Sequence, residues 1–238
     1  MKVFILAAGK GTRLYPLTKD VPKALIKLKN GLTPLDFQLG ILQKFGFDDS
    51  EIFIIGGHRF DALKNYSNFH VIFNEKYDVY NNVYTFYMIS NYIGPQERFI
   101  VINSDTIFSP VIFRYLVETN SSAMVVDNLK ELGDEEMKVR VEHGKVVEIS
   151  KSISPERAHG EYIGVSMYNS DAGSVIFRKI EEYLKNGKGD RWYEDAINDV
   201  LNEIDIVPVY THGEKWIEID TLEDLERARS IIDDIQID

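Results

Sequence analysis

The first eleven residues constrain the fold most. Val3-Phe4-Ile5-Leu6-Ala7 is an unbroken apolar run, and it stops at Ala8-Gly9-Lys10-Gly11. A strand apolar on both faces belongs in the middle of a sheet that is covered on both sides. Glycines at its end let backbone amides approach a ligand with no Cβ in the way. The run is too short for a signal-peptide core or a membrane span. A buried strand that feeds a glycine-rich loop is how many α/β folds begin.

The rest of the chain extends that pattern. Leu35, Leu39, Leu42 and Phe45 follow helical spacing up to Gly46, and Glu51–Ile55 reads as a second strand closed by Gly56-Gly57. A short helix over Phe60–Tyr66 leads to a strand at His70–Phe73. A helix over Asn82–Tyr92, with Asn81-Asn82 placed as caps, precedes a strand at Arg98–Ile102. This alternation predicts a mixed α/β fold, with a mainly parallel central sheet and helices on both faces. From Ser121 the strand-like runs crowd together (Ala123–Val126, Lys138–Glu142, Val146–Ile149), which predicts a small antiparallel β addition. A strand at Tyr162–Tyr168, helices near Ser170–Lys185 and Tyr193–Asn202, a strand at Trp216–Ile219 and a helix opened by Thr221 complete the chain. With no linker or repeat, residues 1–238 read as one domain, with a nucleotide-binding half at 1–120 and an acceptor-binding half at 121–238.

Composition narrows the chemistry. There is no cysteine, so disulfides and thiolate catalysis are excluded, and a cytoplasmic setting is expected. The net charge of −11 comes without a run of Lys or Arg, which argues against nucleic-acid or membrane partners. Against that acidic background, Arg13 and Lys23 beside the glycine loop stand out. A guanidinium fork and an ammonium point charge both suit phosphate oxygens. The loop lacks the Gly-Lys-Ser/Thr of a P-loop and the third glycine of the dinucleotide fingerprint. By themselves, two glycines and two cations equally describe a tight turn with solvated charges.

The longer string, Leu6-Ala7-Ala8-Gly9-Lys10-Gly11-Thr12-Arg13-Leu14 followed by Pro22-Lys23, resembles the sugar-phosphate nucleotidyltransferase family, a Rossmann-like fold. The segment Tyr77-Asp78-Val79-Tyr80-Asn81-Asn82 is similar to that of bacterial CTP-using enzymes, the choline-phosphate and inositol-1-phosphate cytidylyltransferases. That narrower resemblance extends to Gly164-Val165-Ser166, Asp190–Asp195 and Ile217-Glu218-Ile219-Asp220. It implies a nucleotide site built from Leu6, Ala7, Ala8, Gly9, Gly11, Thr12, Gly57, Tyr80, Asn81, Asn82 and Ser104. Arg13 would grip the departing pyrophosphate, and Lys23 would contact the α-phosphate. CTP as donor is implied by the resemblance alone.

Asp105 follows the strand Arg98–Ile102, and Asp220 follows Trp216–Ile219. Singly, either reads equally well as a turn or cap residue. Mg²⁺ takes one or two carboxylates plus substrate phosphates, and the family places metal aspartates in these two contexts. Asp105 and Asp220 are therefore the expected Mg²⁺ ligands, with Glu218 as a supporting neighbour. The five histidines show no ligand spacing.

For the phosphorylated small-molecule acceptor, Lys151 occupies the place of the family's phosphate-binding lysine, although Ser150 and Ser152 replace its usual acidic and proline neighbours. Glu161, Tyr162, Gly164 and Tyr193 are expected to line the same pocket. Lys138 and Arg140 share one face of a strand by period-two geometry, where the choline enzymes carry a tryptophan. Two cations aimed into a cleft favour inositol 1-phosphate as acceptor, with choline phosphate second and a hexose 1-phosphate third. A non-catalytic nucleotide-sugar sensor on the same fold is the alternative of another class. Assembly into homo-oligomers is left open by the sequence.

Overall fold

The computed structural model describes residues 1–235. Strand β1 (Lys2–Ala7) is followed by α1 (Pro34–Lys44), β2 (Ile52–Gly56), β3 (His70–Phe73), α2 (Asn82–Tyr87) and β4 (Phe99–Asn103). Next come β5 (Thr106–Phe108), α3 (Pro110–Val117), β6 (Ala123–Asp127), β7 (Lys138–Glu142), β8 (Lys145–Ser150) and β9 (Gly160–Tyr168). The chain then forms α4 (Ser170–Lys185), α5 (Tyr193–Val200), β10 (Val207–Tyr210), β11 (Trp216–Glu218) and α6 (Leu222–Ile231). Among the described residues no helix is long and apolar enough to cross a membrane.

The main sheet runs β10-β6-β9-β4-β1-β2-β3, with β7 and β8 attached beside β9. β1, β2, β3 and β4 are parallel, as are β6 and β10, while β9 is antiparallel to β4, β6 and β7. The antiparallel addition is β7 with β8, joined by a turn in which His143 (φ 50) and Gly144 (φ 74) are both left-handed. Two positive φ values in a two-residue connection match the twist of the strands they join.

The apolar strands split cleanly between two cores because successive side chains point to opposite faces. Val3, Ile5, Ile54, Ile100 and Ile102 pack on one side with Leu39 of α1, Ile112 of α3 and Leu225 of α6. Phe4, Phe53, Ile55, Phe99 and Val101 pack on the other with Phe86 of α2, Ile176 of α4 and Ile197 of α5.

From β1 the chain moves outward to β2 and β3, then returns to the opposite side of β1 for β4. That reversal opens a crevice at the carboxyl ends of β1 and β4, where open α/β sheets bind ligands. The short helix expected at Phe60–Tyr66 is present as a 3₁₀ segment. Asp220 does not follow a strand of the parallel sheet: β11 pairs antiparallel with β5 in a separate two-stranded sheet. The carboxylate still reaches the crevice, because β5 begins one residue after Asp105 and the backbone N–H of Ile219 donates to the Asp105 carbonyl at 3.0 Å.

Candidate active site

A cleft of about 940 Å³ lies along the carboxyl ends of β1 and β4. Its first wall is the loop after β1: Leu6, Ala7, Ala8, Gly9, Gly11 and Thr12 all line it. Gly11 adopts φ 60, and a Cβ there would stand 2.9 Å from Thr18 Cγ2 and 3.2 Å from Lys23 Cβ. The left-handed turn and the close approach of Lys23 both require glycine. Gly57 sits behind the loop, against the Ala8 carbonyl and the Tyr77 ring. It supports the loop and is not among the lining residues.

Tyr80, Asn81 and Asn82 reach the cleft beside the loop. Asn81 caps α2, its side-chain oxygen accepting from the Asn82 amide at 2.7 Å. Asn82 instead bridges to α5: its Oδ1 accepts from the Tyr193 amide at 3.0 Å, and its Nδ2 lies 3.5 Å from Glu194 Oε2.

At the centre, Lys23 Nζ donates to Asp105 Oδ2 at 2.8 Å and to Asp220 Oδ1 at 2.5 Å. Arg13 Nη2 lies 2.6 Å from Asp220 Oδ2. Sequence-distant residues from three loops thus form one charge cluster. Burial alone would lower the pKa of Lys23, but the two aspartates override it and hold the ammonium firmly charged. One carboxylate oxygen from each of Asp105, Glu218 and Asp220 lies within 4.8 Å of the other two. Burial, reinforced by the charges of Asp105 and Asp220, pushes the Glu218 carboxyl well above its usual range. Asp105 Oδ1 is buried with no hydrogen-bond partner. An orphaned carboxylate oxygen within a set of three hard oxygen donors fits a divalent cation such as Mg²⁺. Ser104 lines the cleft next to Asp105.

The second half of the cleft is formed by β9, β11 and the loops around them. Glu161, Tyr162, Gly164 and Lys151 line it. Tyr193 does not; it is fully buried beneath, its hydroxyl 3.0 Å from that of Tyr162 and 3.2 Å from Asn103 Oδ1. Lys138 and Arg140 do not line the cleft either. Lys138 is 1% exposed, and its ammonium is spent on the carbonyls of Gly133, Asp134 and Glu136. Arg140 is held across the hairpin by Glu148 at 2.8 Å and by Glu142. Period-two spacing does not say which face of a strand meets a ligand, and neither cation on β7 reaches the cleft.

Several cleft residues escaped the sequence reading. Trp216 donates from Nε1 to Asp127 Oδ2 at 2.6 Å. Lys130 Nζ stands 5.6 Å above the Trp216 ring and pairs with Glu161 at 2.9 Å and Glu136 at 3.3 Å. Across the cleft, Lys151 Nζ lies 4.9 Å from the Trp192 ring centre. Glu194 lines the floor and is 5% exposed; burial pushes its carboxyl up to about 7. Burial also raises the Glu161 carboxyl, with Lys130 opposing the shift. These residues come from β6, β9, β11, α5 and the loops between elements, and only the fold brings them together. His58 accepts no such role: its Nε2 is 2.7 Å from the Thr18 carbonyl.

Comparison with known proteins agrees with this architecture. Residues 3–235 match the MobA-like NTP transferase domain. A choline-phosphate cytidylyltransferase of Streptococcus pneumoniae is 30% identical over 236 residues, 98% of either chain. A CTP:phosphoglutamine cytidylyltransferase of Campylobacter jejuni is 27% identical over 95% of this chain and 98% of its own. The solved CTP:phosphocholine cytidylyltransferase of S. pneumoniae superposes with a TM-score of 0.82 at 28% identity, over 97% of this chain and 98% of that one. The inositol-1-phosphate CTP transferase of T. maritima shares the fold, with a TM-score of 0.82 at 19% identity over 98% of this chain and 95% of that one. The loop, the paired aspartates and the match along the whole chain lead to one conclusion: the protein belongs to the MobA-like NTP transferase family and is a nucleotidyltransferase similar to cytidylyltransferases.

Proposed function

We propose that the enzyme transfers CMP from CTP to a phosphorylated alcohol that carries a cationic group, of which choline phosphate is the type, and releases pyrophosphate. The observation that carries the acceptor choice is Lys130. An ammonium group already stands over the face of Trp216 with Glu161 and Glu136 around it. An aromatic face ringed by carboxylates is what recognises an alkylammonium. Lys130 supports this reading as a stand-in for the ligand's cation, and its ammonium would have to swing out for that cation to enter. Asp127 and Glu135 line the same cleft. Inositol 1-phosphate was favoured by Lys138 and Arg140, and those cations are engaged elsewhere.

The acceptor's phosphate oxygen attacks the α-phosphorus of CTP, and the bond to the departing pyrophosphate breaks. That oxygen is ionised near neutral pH, so no general base is needed. The task is to bring two polyanions together and offset their repulsion. Loop amides from Gly9 to Thr12 cradle the triphosphate, Arg13 and Lys23 neutralise it, and Lys151 holds the acceptor phosphate. Asp105, Asp220 and Glu218 would hold Mg²⁺, which when bound supplies positive charge against the nucleotide phosphates.

Initial rates of pyrophosphate release with CTP and Mg²⁺ test this reading. Choline phosphate, inositol 1-phosphate and the uncharged carbon isostere 3,3-dimethylbutyl phosphate are compared. Choline phosphate is expected to give the highest kcat/KM, by about tenfold or more over the isostere, in keeping with a desolvated cation–π site. A higher value for inositol 1-phosphate would contradict the acceptor assignment.

A further inference from the structure

The carboxylates of the candidate metal cluster are already engaged by the chain's own cations. Lys23 holds Asp105 Oδ2 and Asp220 Oδ1, and Arg13 holds Asp220 Oδ2. Of the four oxygens on the two aspartates, only Asp105 Oδ1 lacks a partner, and it is buried. The Lys23 side chain is 12% exposed, so this is an enclosed contact and not a surface pair. Lys23 is also fixed from behind, because its Cβ packs against the left-handed Gly11 turn.

We propose that Lys23 is an internal counter-ion that keeps the cluster closed to a free divalent cation, so that metal and nucleotide enter together. The inference rests on reading Asp105, Glu218 and Asp220 as metal ligands. A divalent ion and an ammonium bound to the same carboxylate oxygens would lie in contact, and their repulsion in a partly buried site forbids joint occupancy. For the metal to bind, the Lys23 tip has to leave. A free metal ion offers that ammonium no new anionic partner. A triphosphate does, and it draws Arg13 away from Asp220 as well. Asp105 and Asp220 against Lys23 and Arg13 leave no anionic excess to attract a free metal ion. The nucleotide's phosphates bring that excess, and the metal and both basic side chains then each find oxygens. Lys23 therefore acts twice, first as guard of the empty cluster and then as phosphate ligand.

Mn²⁺ serves as the probe, because its free-ion EPR signal vanishes on binding. Titrations are run on the wild type, Lys23→Met and Lys23→Gln, all without nucleotide. Both variants are expected to bind Mn²⁺ about tenfold or more tightly than the wild type, in the usual range for coupling between sites. Thermal melts provide the second readout, since a ligand selective for the folded state raises Tm. Mn²⁺ alone is expected to raise the Tm of the variants but not of the wild type, whereas Mn²⁺ with CTP raises the Tm of the wild type. Should the variants unfold without metal, refolding on Mn²⁺ addition supports the proposal, and failure to refold counts against it. Equal Mn²⁺ affinity in wild type and variants overturns the guard role. Adding Asp105→Asn to Lys23→Met separates the two readings. If Mn²⁺ binding survives that change, the ion sits elsewhere and the metal-ligand reading fails, taking the proposal with it.

Discussion

Lys23 and Asp105 are 82 positions apart in the chain, and the ammonium of one lies 2.8 Å from the carboxylate of the other. The contact joins the loop after β1 to the end of β4 at the point where strand order reverses. It places a phosphate-seeking cation beside a metal-seeking anion before any ligand arrives. Turnover is therefore expected to depend on both charges. Lys23→Met and Arg13→Met are each expected to lower kcat/KM by about 10²–10³-fold, the usual loss when one preorganised transition-state donor is removed. Steady-state pyrophosphate release checks this. Near-normal values in both variants would reduce the loop to a structural turn.

The aspartates act on the same centre from two different sheets. Asp105→Ala and Asp220→Ala are expected to abolish most turnover while the far-UV circular dichroism stays native. Both side chains are 22% exposed at the cleft, and neither belongs to either core. A variant that retains wild-type turnover would remove its carboxylate from the mechanism.

Trp216 is expected to discriminate charge. Trp216→Leu keeps an apolar side chain but removes the aromatic face, so kcat/KM for choline phosphate is expected to fall about tenfold, mainly through KM. The uncharged isostere, which gains nothing from that face, is expected to change by no more than about twofold. Equal losses for both acceptors would mean that the ring only fills space.

Glu194 is expected to make stability depend on pH. Its carboxyl is pushed from 4.5 to about 7 by burial. Between those values the folded chain holds a proton that the unfolded chain has lost. Stability from this group is therefore full below about pH 4.5, falls as pH rises toward 7 and levels off above it. A shift of that size corresponds to roughly 3 kcal/mol at most. Glu194→Gln cannot ionise, so its Tm advantage over the wild type is expected to be larger at pH 8 than at pH 5. Parallel melting curves at the two pH values would contradict this.

Gly164 tests packing at the cleft floor. It adopts φ 79, and a Cβ there would stand 2.6 Å from Asn103 Nδ2. Gly164→Ala is expected to cost about 1–3 kcal/mol from strain and crowding, measured by urea unfolding. An unchanged midpoint would show that Asn103 has room to move.

Much of this was legible in the sequence because buried strands and close-approach glycines leave local signatures. The run Val3–Ala7 and the Gly9–Gly11 loop announce themselves by pattern, whereas Asp105 and Asp220 stood out only through the family resemblance. The chain after Asp105 was harder. β5 is three residues long, and its partner β11 pairs with it from Trp216↔Phe108 to Glu218↔Thr106, far apart in the chain, so nothing local marks the small sheet that carries Asp220 into the cleft. Lys138 shows the opposite failure. Period-two spacing does not say which face of β7 meets the cleft, and the Lys138 ammonium binds the Gly133 and Glu136 carbonyls instead. Lys130 and Trp192 lie outside any strand or helix and Trp216 only opens the short β11, so tertiary contacts alone bring them to the cleft.

The most direct measurement is ³¹P NMR of the protein incubated with CTP, Mg²⁺ and choline phosphate. The account predicts that the triphosphate and monoester resonances decline together, while those of pyrophosphate and of a new phosphodiester-linked diphosphate grow in equal amounts. Persistence of both starting signals over many hours at micromolar enzyme, with CTP and with each other nucleoside triphosphate, would contradict it.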